Sequence, residues 1–469
     1  MISRIPNMLS MKTALISFLF FGIFFGTAST SPVCAVEKKP NIVFILTDDH
    51  RWNALGVMGH PFVETPHMDR LAREGILFEN AFVTTSLCSP SRASFLTGQY
   101  ASTHGVRNNF SRWDSEKNIT FLQHLKGAGY DTAFIGKWHM PGKGLPILPG
   151  VDLFVSFTRK DGQGDYFNCP IYVNHELTPN RKAYITEELT DYAIDFVQTK
   201  RDTPFCLYLS HKAVHHDWKP PAHLKGRYKD ADLGHLAPES DKYNTWTGLN
   251  WLEGTMGNMH AVYKRYHACL AAVDEQVGRL LEILDQNNML DNTVIVYAGD
   301  NGYMWGEHRM YAKHYPYEES IRIPYIVRAP GYLVPDPGRR ARQMVLNIDL
   351  APTLLEMAGL PVPDAMQGES FIDILKDENA PGRSGWVYEL FRDFPFGGRV
   401  PPHKALRTER YKYIDWECCR DHEIYDLQND PREMNNLFPT AQGNELAETL
   451  ALELDRLKAE LGLKASDIK

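Results

Sequence analysis

Cysteine is scarce in this sequence, with seven residues in 469. A disulfide-stapled scaffold is thereby excluded. Cys418 and Cys419 are adjacent, where a bridge would be strained, so mostly reduced, packed cysteines are expected. No run of Lys or Arg marks a nucleic-acid or membrane surface, and the net charge is -8 with a pI near 6.1. No repeat of fixed period occurs. No apolar run reaches the roughly 20 residues of a membrane span. The nearest extends from Ala14 to Ala28, after Arg4 and Lys12 and before Val33-Cys34-Ala35. Residues 1–35 therefore read as a secretory signal peptide, which predicts a secreted or periplasmic protein with no stable membrane span after cleavage. Hydrophobic residues make up 43% and aromatics 12%, which excludes a disordered chain and suffices for a large core.

Residues 36–375 alternate apolar strands with helices. Asn41–Thr47 is a continuous apolar run, as expected of a strand buried on both faces. Thr65 is placed to cap a helix begun by Pro66, with Met68, Leu71 and Ala72 on its buried side. Further helices are expected over 120–125, 187–198 and 260–285, and further strands over 132–135, 205–210 and 293–298. This is an α/β pattern with a large central mostly parallel mixed sheet flanked by helices. Residues 376–469 read differently. Short strands over 386–391, 404–407, 411–414 and 423–425, then a charged helix over 445–461, predict a small C-terminal α+β domain on a short antiparallel sheet.

Polar clusters stand where the predicted strands end, the place where open α/β sheets bind ligands. Asp48-Asp49 follows the first strand, and Asp300-Asn301 follows the strand over 293–298. One Asp-Asp pair alone is usually a solvated turn. Two clusters in equivalent positions form an all-oxygen set suited to a hard cation, Ca²⁺ or Mg²⁺. The string Leu87-Cys-Ser-Pro-Ser-Arg-Ala-Ser-Phe-Leu-Thr-Gly98 has Ser89 as a candidate cap and Pro90 in the first turn. Cys88 is then expected beside a helix N-terminus, where anions are favoured. Gly136-Lys-Trp-His139, His211-Lys-Ala-Val-His215 and Lys313 add cations and proton carriers.

The string from Cys88 resembles the signature of sulfatases, Cys-x-Pro-Ser-Arg followed by Thr-Gly. So do Pro40–Asp49, Gly299-Asp-Asn-Gly302 with Gly306-Glu-His308, and Ile424–Leu437; the resemblance covers about residues 38–438. It implies the alkaline-phosphatase-like fold and sulfate ester hydrolysis. It implies that a formylglycine-generating enzyme oxidises Cys88 to formylglycine, and that Asp48, Asp49, Asp300 and Asn301, with the modified Cys88, bind Ca²⁺. Arg92 would orient the hydrated residue, and Lys137 and Lys313 would neutralise sulfate oxygens. His139 would take a proton from the second hydroxyl. His215 would protonate the leaving alcohol, with His211 and His216 as alternatives. The segment from Leu87 to Asn109 is similar to N-acetylglucosamine-6-sulfatases and other glycan sulfatases, which makes a sulfated saccharide or glycosaminoglycan fragment the expected substrate. Choline sulfate and small aryl sulfates stay open. The same superfamily also contains phosphonate monoester hydrolases and phosphodiesterases, and a calcium-binding pseudoenzyme is the alternative of another class. The alcohol must be recognised outside the sulfate pocket. Arg107–Trp113, Trp218, Trp246, Trp251, Arg392, Asp393 and His403 are the candidates.

Overall fold

The computed structural model describes residues 39–142, 144–160, 162–236, 259–392, 400–416 and 421–463. The signal-peptide segment, Trp246, Trp251, Asp393, Cys418 and Cys419 lie outside them. Among the described residues, Cys88, Cys169, Cys206 and Cys269 are free and buried, and no helix is long and apolar enough to cross a membrane.

Strand β1 (Asn41–Thr47) lies inside a ten-stranded sheet. Its side chains alternate between two cores: Val43 and Ile45 enter one, while Ile42, Phe44 and Leu46 enter the other. That is why the strand is apolar throughout and not at every second residue. On one side it pairs in parallel with β7 (Phe205–Ser210), which continues in parallel to β3 (Asp131–Gly136) and β4 (Leu153–Ser156). The two short strands β5 (Ile171–Val173) and β6 (Glu176–Thr178) finish that edge in antiparallel fashion. On its other side β1 pairs in parallel with β8 (Thr293–Gly299). Strands β9 (Met304–Trp305) and β10 (Tyr311–Ala312) pair with each other apart from this sheet, and beyond β8 comes β11 (Tyr325–Arg328), antiparallel to both β8 and β2 (Ile76–Phe82). The edge strand β12 (Arg339–Leu346) runs parallel to β2. The sheet is thus mixed and mostly parallel, with the parallel strands at its centre.

Helices cover both faces. They include α1 (Pro66–Arg73), α2 (Cys88–Thr97), α3 (Ala101–His104), α4 (Phe121–Gly127), α5 (Ile185–Gln198) and α6 (Met259–Gln286). Thr65 precedes α1 as expected, but its hydroxyl does not cap the helix. It donates to Asp69 Oδ1 at 2.9 Å and accepts from Gly56 N at 2.8 Å.

A second sheet has four antiparallel strands in sequence order: β13 (Gly385–Leu390), β14 (His403–Thr408), β15 (Tyr411–Trp416) and β16 (Asp421–Asp426). The helix over Ala441–Glu460 buries Leu450 and Leu454 in the same core as Trp386, Leu406 and Ile414. That core also takes in Phe82 and Leu346 from the large sheet. Strand β13 is tied to the loop before α2 and to α3: Glu389 N donates to Thr84 O at 2.9 Å, and Ser102 N donates to Glu389 Oε1 at 2.8 Å.

Candidate active site

Strand register brings the polar clusters together. Thr47 is level with Gly299, and Leu46 and Gly136 are both level with Ser210. The next residues along β1, β8, β3 and β7 therefore emerge side by side at the carboxyl edge. Backbone bonds continue the ladder past the strands: Asp300 N to Thr47 O at 2.8 Å, Lys137 N to Ser210 O at 2.8 Å and Asp48 N to Ala213 O at 3.0 Å. Gly136 has φ 118°, and a Cβ there would lie 1.8 Å from Ser210 O, so only glycine lets β3 turn Lys137 inward.

Cys88 is the first residue of α2, two positions earlier than a Ser89 cap would give. Ser91 N donates to Leu87 O at 3.0 Å, which starts the helix at Cys88. The Ser89 hydroxyl instead donates to the carbonyl of His139, and Ser89 N donates to Asn109 Oδ1 at 3.1 Å. Cys88 Sγ lies 2.7 Å from Lys313 Nζ and 3.6 Å from Asp48 Oδ1. Burial pushes the thiol up to about 12, against the pull of Lys137 and Lys313. Such a thiol is not the low-pKa nucleophile of cysteine enzymes.

Oxygens of Asp48, Asp49 and Asp300 lie within 4.8 Å of one another, all buried. Asn301 Nδ2 donates to Asp49 Oδ1 at 2.7 Å, and Asp49 N donates to Asp300 Oδ1 at 2.9 Å. Asp49 Oδ2 and Asn301 Oδ1 are buried without a hydrogen-bond partner among the described residues. Unpaired buried oxygens of this kind are costly, and an oxygen-seeking cation would satisfy both. These four residues offer only oxygen, which fits Ca²⁺, while the unmodified Cys88 thiol and His215 also approach Asp48.

Basic groups fill the other side. Arg92 grips Asp300 through Nε at 2.9 Å and Nη2 at 2.8 Å, and its Nη2 is 3.4 Å from Asp48. Its Nη1 donates to Lys137 O at 2.9 Å and to Ser210 Oγ at 2.6 Å. Lys137 pairs with Asp48, and Lys313 with Asp49. Burial raises the Asp48 pKa, but Lys137, Arg92 and Lys313 outweigh it and hold this carboxyl below the usual range. Asp300 is raised to about 6 by burial and by neighbouring Asp48, against Arg92. Both Asp49 and His139 take left-handed backbone, φ 52° and 54°. Such residues cost about 1–3 kcal/mol and cluster at functional sites. His215 Nε2 lies 3.9 Å from Asp49 Oδ2, closing the ring of expected residues.

The sequence matches the sulfatase family over residues 40–360. The chain belongs to the sulfatase family. It also matches the family described as N-sulphoglucosamine sulphohydrolase, C-terminal, over residues 306–460. An N-acetylglucosamine-6-O-sulfatase of Bacteroides thetaiotaomicron is 33% identical over 86% of this chain and 84% of its own length. A protein solved with its substrate D-glucosamine-2-N,6-O-disulfate superposes with TM-score 0.83 at 29% identity, over 92% of this chain and 100% of that one. The phosphonate monoester hydrolase of Agrobacterium radiobacter shares the fold, with TM-score 0.74 at 23% identity over 90% of this chain and 96% of that one. This chain is therefore an enzyme, a sulfatase of alkaline-phosphatase-like fold.

The same cluster holds further polar residues. Gln163 lies 2.6 Å from Lys137 Nζ and 2.7 Å from His139 Nε2. Nothing in its loop sequence marks it. Lys212 is buried over the Tyr166 ring at 4.7 Å, and burial lowers its pKa to about 8, with Lys137 adding to the effect. Its position inside the His211–His215 cluster was the available signal. Two residues expected to read a sugar are corrected. Trp218 is 1% exposed and packs on Tyr303 and Trp305, with its indole N–H on Val214 O. His403 is fully buried between Tyr388 and Trp416. Aromatic neighbours bury both rings. Arg107 and Arg392 do meet at one place: Arg107 sits over Phe391 at 5.0 Å, and Asn108 Nδ2 donates to Arg392 O at 2.9 Å.

Proposed function

We propose that this sulfatase releases inorganic sulfate from a sulfated saccharide, with formylglycine made from Cys88 and with bound Ca²⁺. The observation that supports this most is the meeting of Cys88, at the start of α2, with three buried carboxylates and the cations Arg92, Lys137 and Lys313. The likeness to proteins that act on N-acetylglucosamine 6-sulfate and on a disulfated glucosamine supports the saccharide. An apolar leader at residues 1–35 supports secretion or export, and maturation would take place on a formylglycine-generating enzyme.

Asp48, Asp49, Asp300 and Asn301 would hold Ca²⁺, which when bound supplies a Lewis acid for sulfate oxygens. Formylglycine made from Cys88 would supply, as its hydrate, a nucleophilic hydroxyl and a second hydroxyl through which the aldehyde can be regenerated. Lys137 and Lys313 bind the sulfate oxygens and stabilise charge as it shifts. Arg92, fixed by four hydrogen bonds and ion pairs, holds Asp300 and the loop of Lys137 in place. His139 handles the proton of the second hydroxyl. His215 gives a proton to the leaving alcohol. In the free enzyme His215 is held well below its usual pKa by burial, then by His216, Lys137, Lys313 and Lys212. An anionic ester seated on Lys137 and Lys313 would offset the part of this depression that comes from those two cations.

The test is sulfate release from a panel of sulfated monosaccharides and oligosaccharides, with an aryl sulfate and an aryl phosphonate monoester as comparators. Turnover of a saccharide sulfate well above both comparators is expected. Preference for the phosphonate ester would overturn the reading.

A further inference from the structure

Gln163 is half-buried in the loop after β4, between Gly162 and Gly164, whose φ angles are 90° and 70°. Its amide bridges two groups of the sulfate pocket: Oε1 is 2.6 Å from Lys137 Nζ, and Nε2 is 2.7 Å from His139 Nε2. The two contacts are not independent. Lys137 Nζ already donates to Asp48 and has only hydrogens to offer. Oε1 must therefore face Lys137, because a turned-over amide would set two donors against each other. The amide NH₂ then faces His139 and donates to Nε2. A ring nitrogen that accepts carries no hydrogen, so a neutral His139 carries its hydrogen on Nδ1. His139 is buried, with its Nδ1 lacking any hydrogen-bond partner among the described residues.

We propose that Gln163, oriented by Lys137, is a positioning residue that places the His139 hydrogen on Nδ1, so that the resting pocket offers an oxyanion a donor there and not a base. Which oxyanion it serves, a sulfate oxygen or an oxygen of the hydrated residue, rests on the sulfatase reading; the tautomer does not. The inference refines the expected role of His139. Nδ1 can accept a proton only after giving up this hydrogen, and that requires Gln163 to turn its oxygen toward Nε2 and leave Lys137.

The experiment uses the mature full-length protein with isotope-labelled histidine and long-range proton–nitrogen correlation spectra. The His139 signals are assigned by their loss in His139→Ala. Wild type should show the Nδ1–H pattern. Gln163→Glu, whose carboxylate accepts from both neighbours, should move the hydrogen to Nε2 or protonate both nitrogens. An Nε2–H ring in wild type would overturn the proposal, whatever the activity. In parallel, kcat/KM on the preferred sulfate ester should fall about 10–100-fold in both Gln163→Leu and Gln163→Glu, by analogy with the loss of the outer hydrogen-bond partner of a metal-bound histidine. Unchanged kcat/KM in both variants, with the tautomer shifted, would contradict the functional half. If wild type turns over no sulfate ester, the sulfatase reading fails while the spectra still decide the tautomer.

Discussion

Replacing Arg92 by alanine should cost the fold about 3–5 kcal/mol, the usual loss when one partner of a buried ion pair is removed. The guanidinium is 1% exposed, so solvent screens little of its field. It stands 2.8 Å from Asp300 and 3.4 Å from Asp48. At an effective dielectric of about 20, unit charges at those distances attract by about 6 and about 5 kcal/mol. Desolvation cancels much of that gross attraction, but truncation leaves two buried carboxylates with less compensation, which is where the net loss comes from. Lys137 still partners Asp48, so Asp300 carries most of the deficit. The assay is urea denaturation with chelator present, at unchanged slope. Asp300→Asn should then shrink the Arg92→Ala penalty by about 1–3 kcal/mol in a double-mutant cycle, because the stranded charge is gone. A penalty under about 1 kcal/mol, or strict additivity of the two substitutions, would refute the reasoning.

Chelation should abolish turnover, and Ca²⁺ should restore it; at about a hundred times its dissociation constant it should also add about 2.7 kcal/mol of stability. Stoichiometric Zn²⁺ in purified enzyme would contradict the oxygen-ligand assignment. Asp274 Oδ1 accepts from His67 N at 3.1 Å and Met68 N at 2.8 Å where α1 begins, yet burial pushes its carboxyl from 3.8 up to about 7. The folded state thus holds this proton more tightly than the unfolded chain, so its stabilisation is full below about pH 4 and is lost as pH rises through about 7. Asp274→Asn should match wild type at about pH 4 and exceed it by up to about 4 kcal/mol at about pH 8; parallel pH profiles would contradict this. Arg107→Ala and Arg392→Ala should lose saccharide turnover and keep most aryl sulfate turnover, since the alcohol is read apart from the sulfate; parallel loss of both activities would move the specificity site elsewhere.

The central strands were legible because burial on both faces leaves an unbroken apolar run, as in β1 and β7. The long helix α6, expected over 260–285, is found over Met259–Gln286. Strand ends pointed to the pocket, since Asp48, Lys137, Ser210 and Asp300 are separated widely in sequence yet adjacent in register. Other features depended on contacts that no local pattern encodes. Thr65 looked like a cap, but Asp69 and Gly56 compete for its hydroxyl. Trp218 looked like a sugar platform, but Tyr303 and Trp305 bury it. Gln163 could not be singled out, because its meaning arises only when Lys137 and His139 flank it in space.

The most direct measurement follows sulfate release from N-acetylglucosamine 6-sulfate by purified protein, with mass analysis of the peptide containing Cys88 in the same preparation. The account predicts that sulfate release scales with the fraction of Cys88 converted to formylglycine and vanishes in Cys88→Ala, which remains folded. Full turnover by protein whose Cys88 is an unmodified thiol, or by Cys88→Ala, would contradict it.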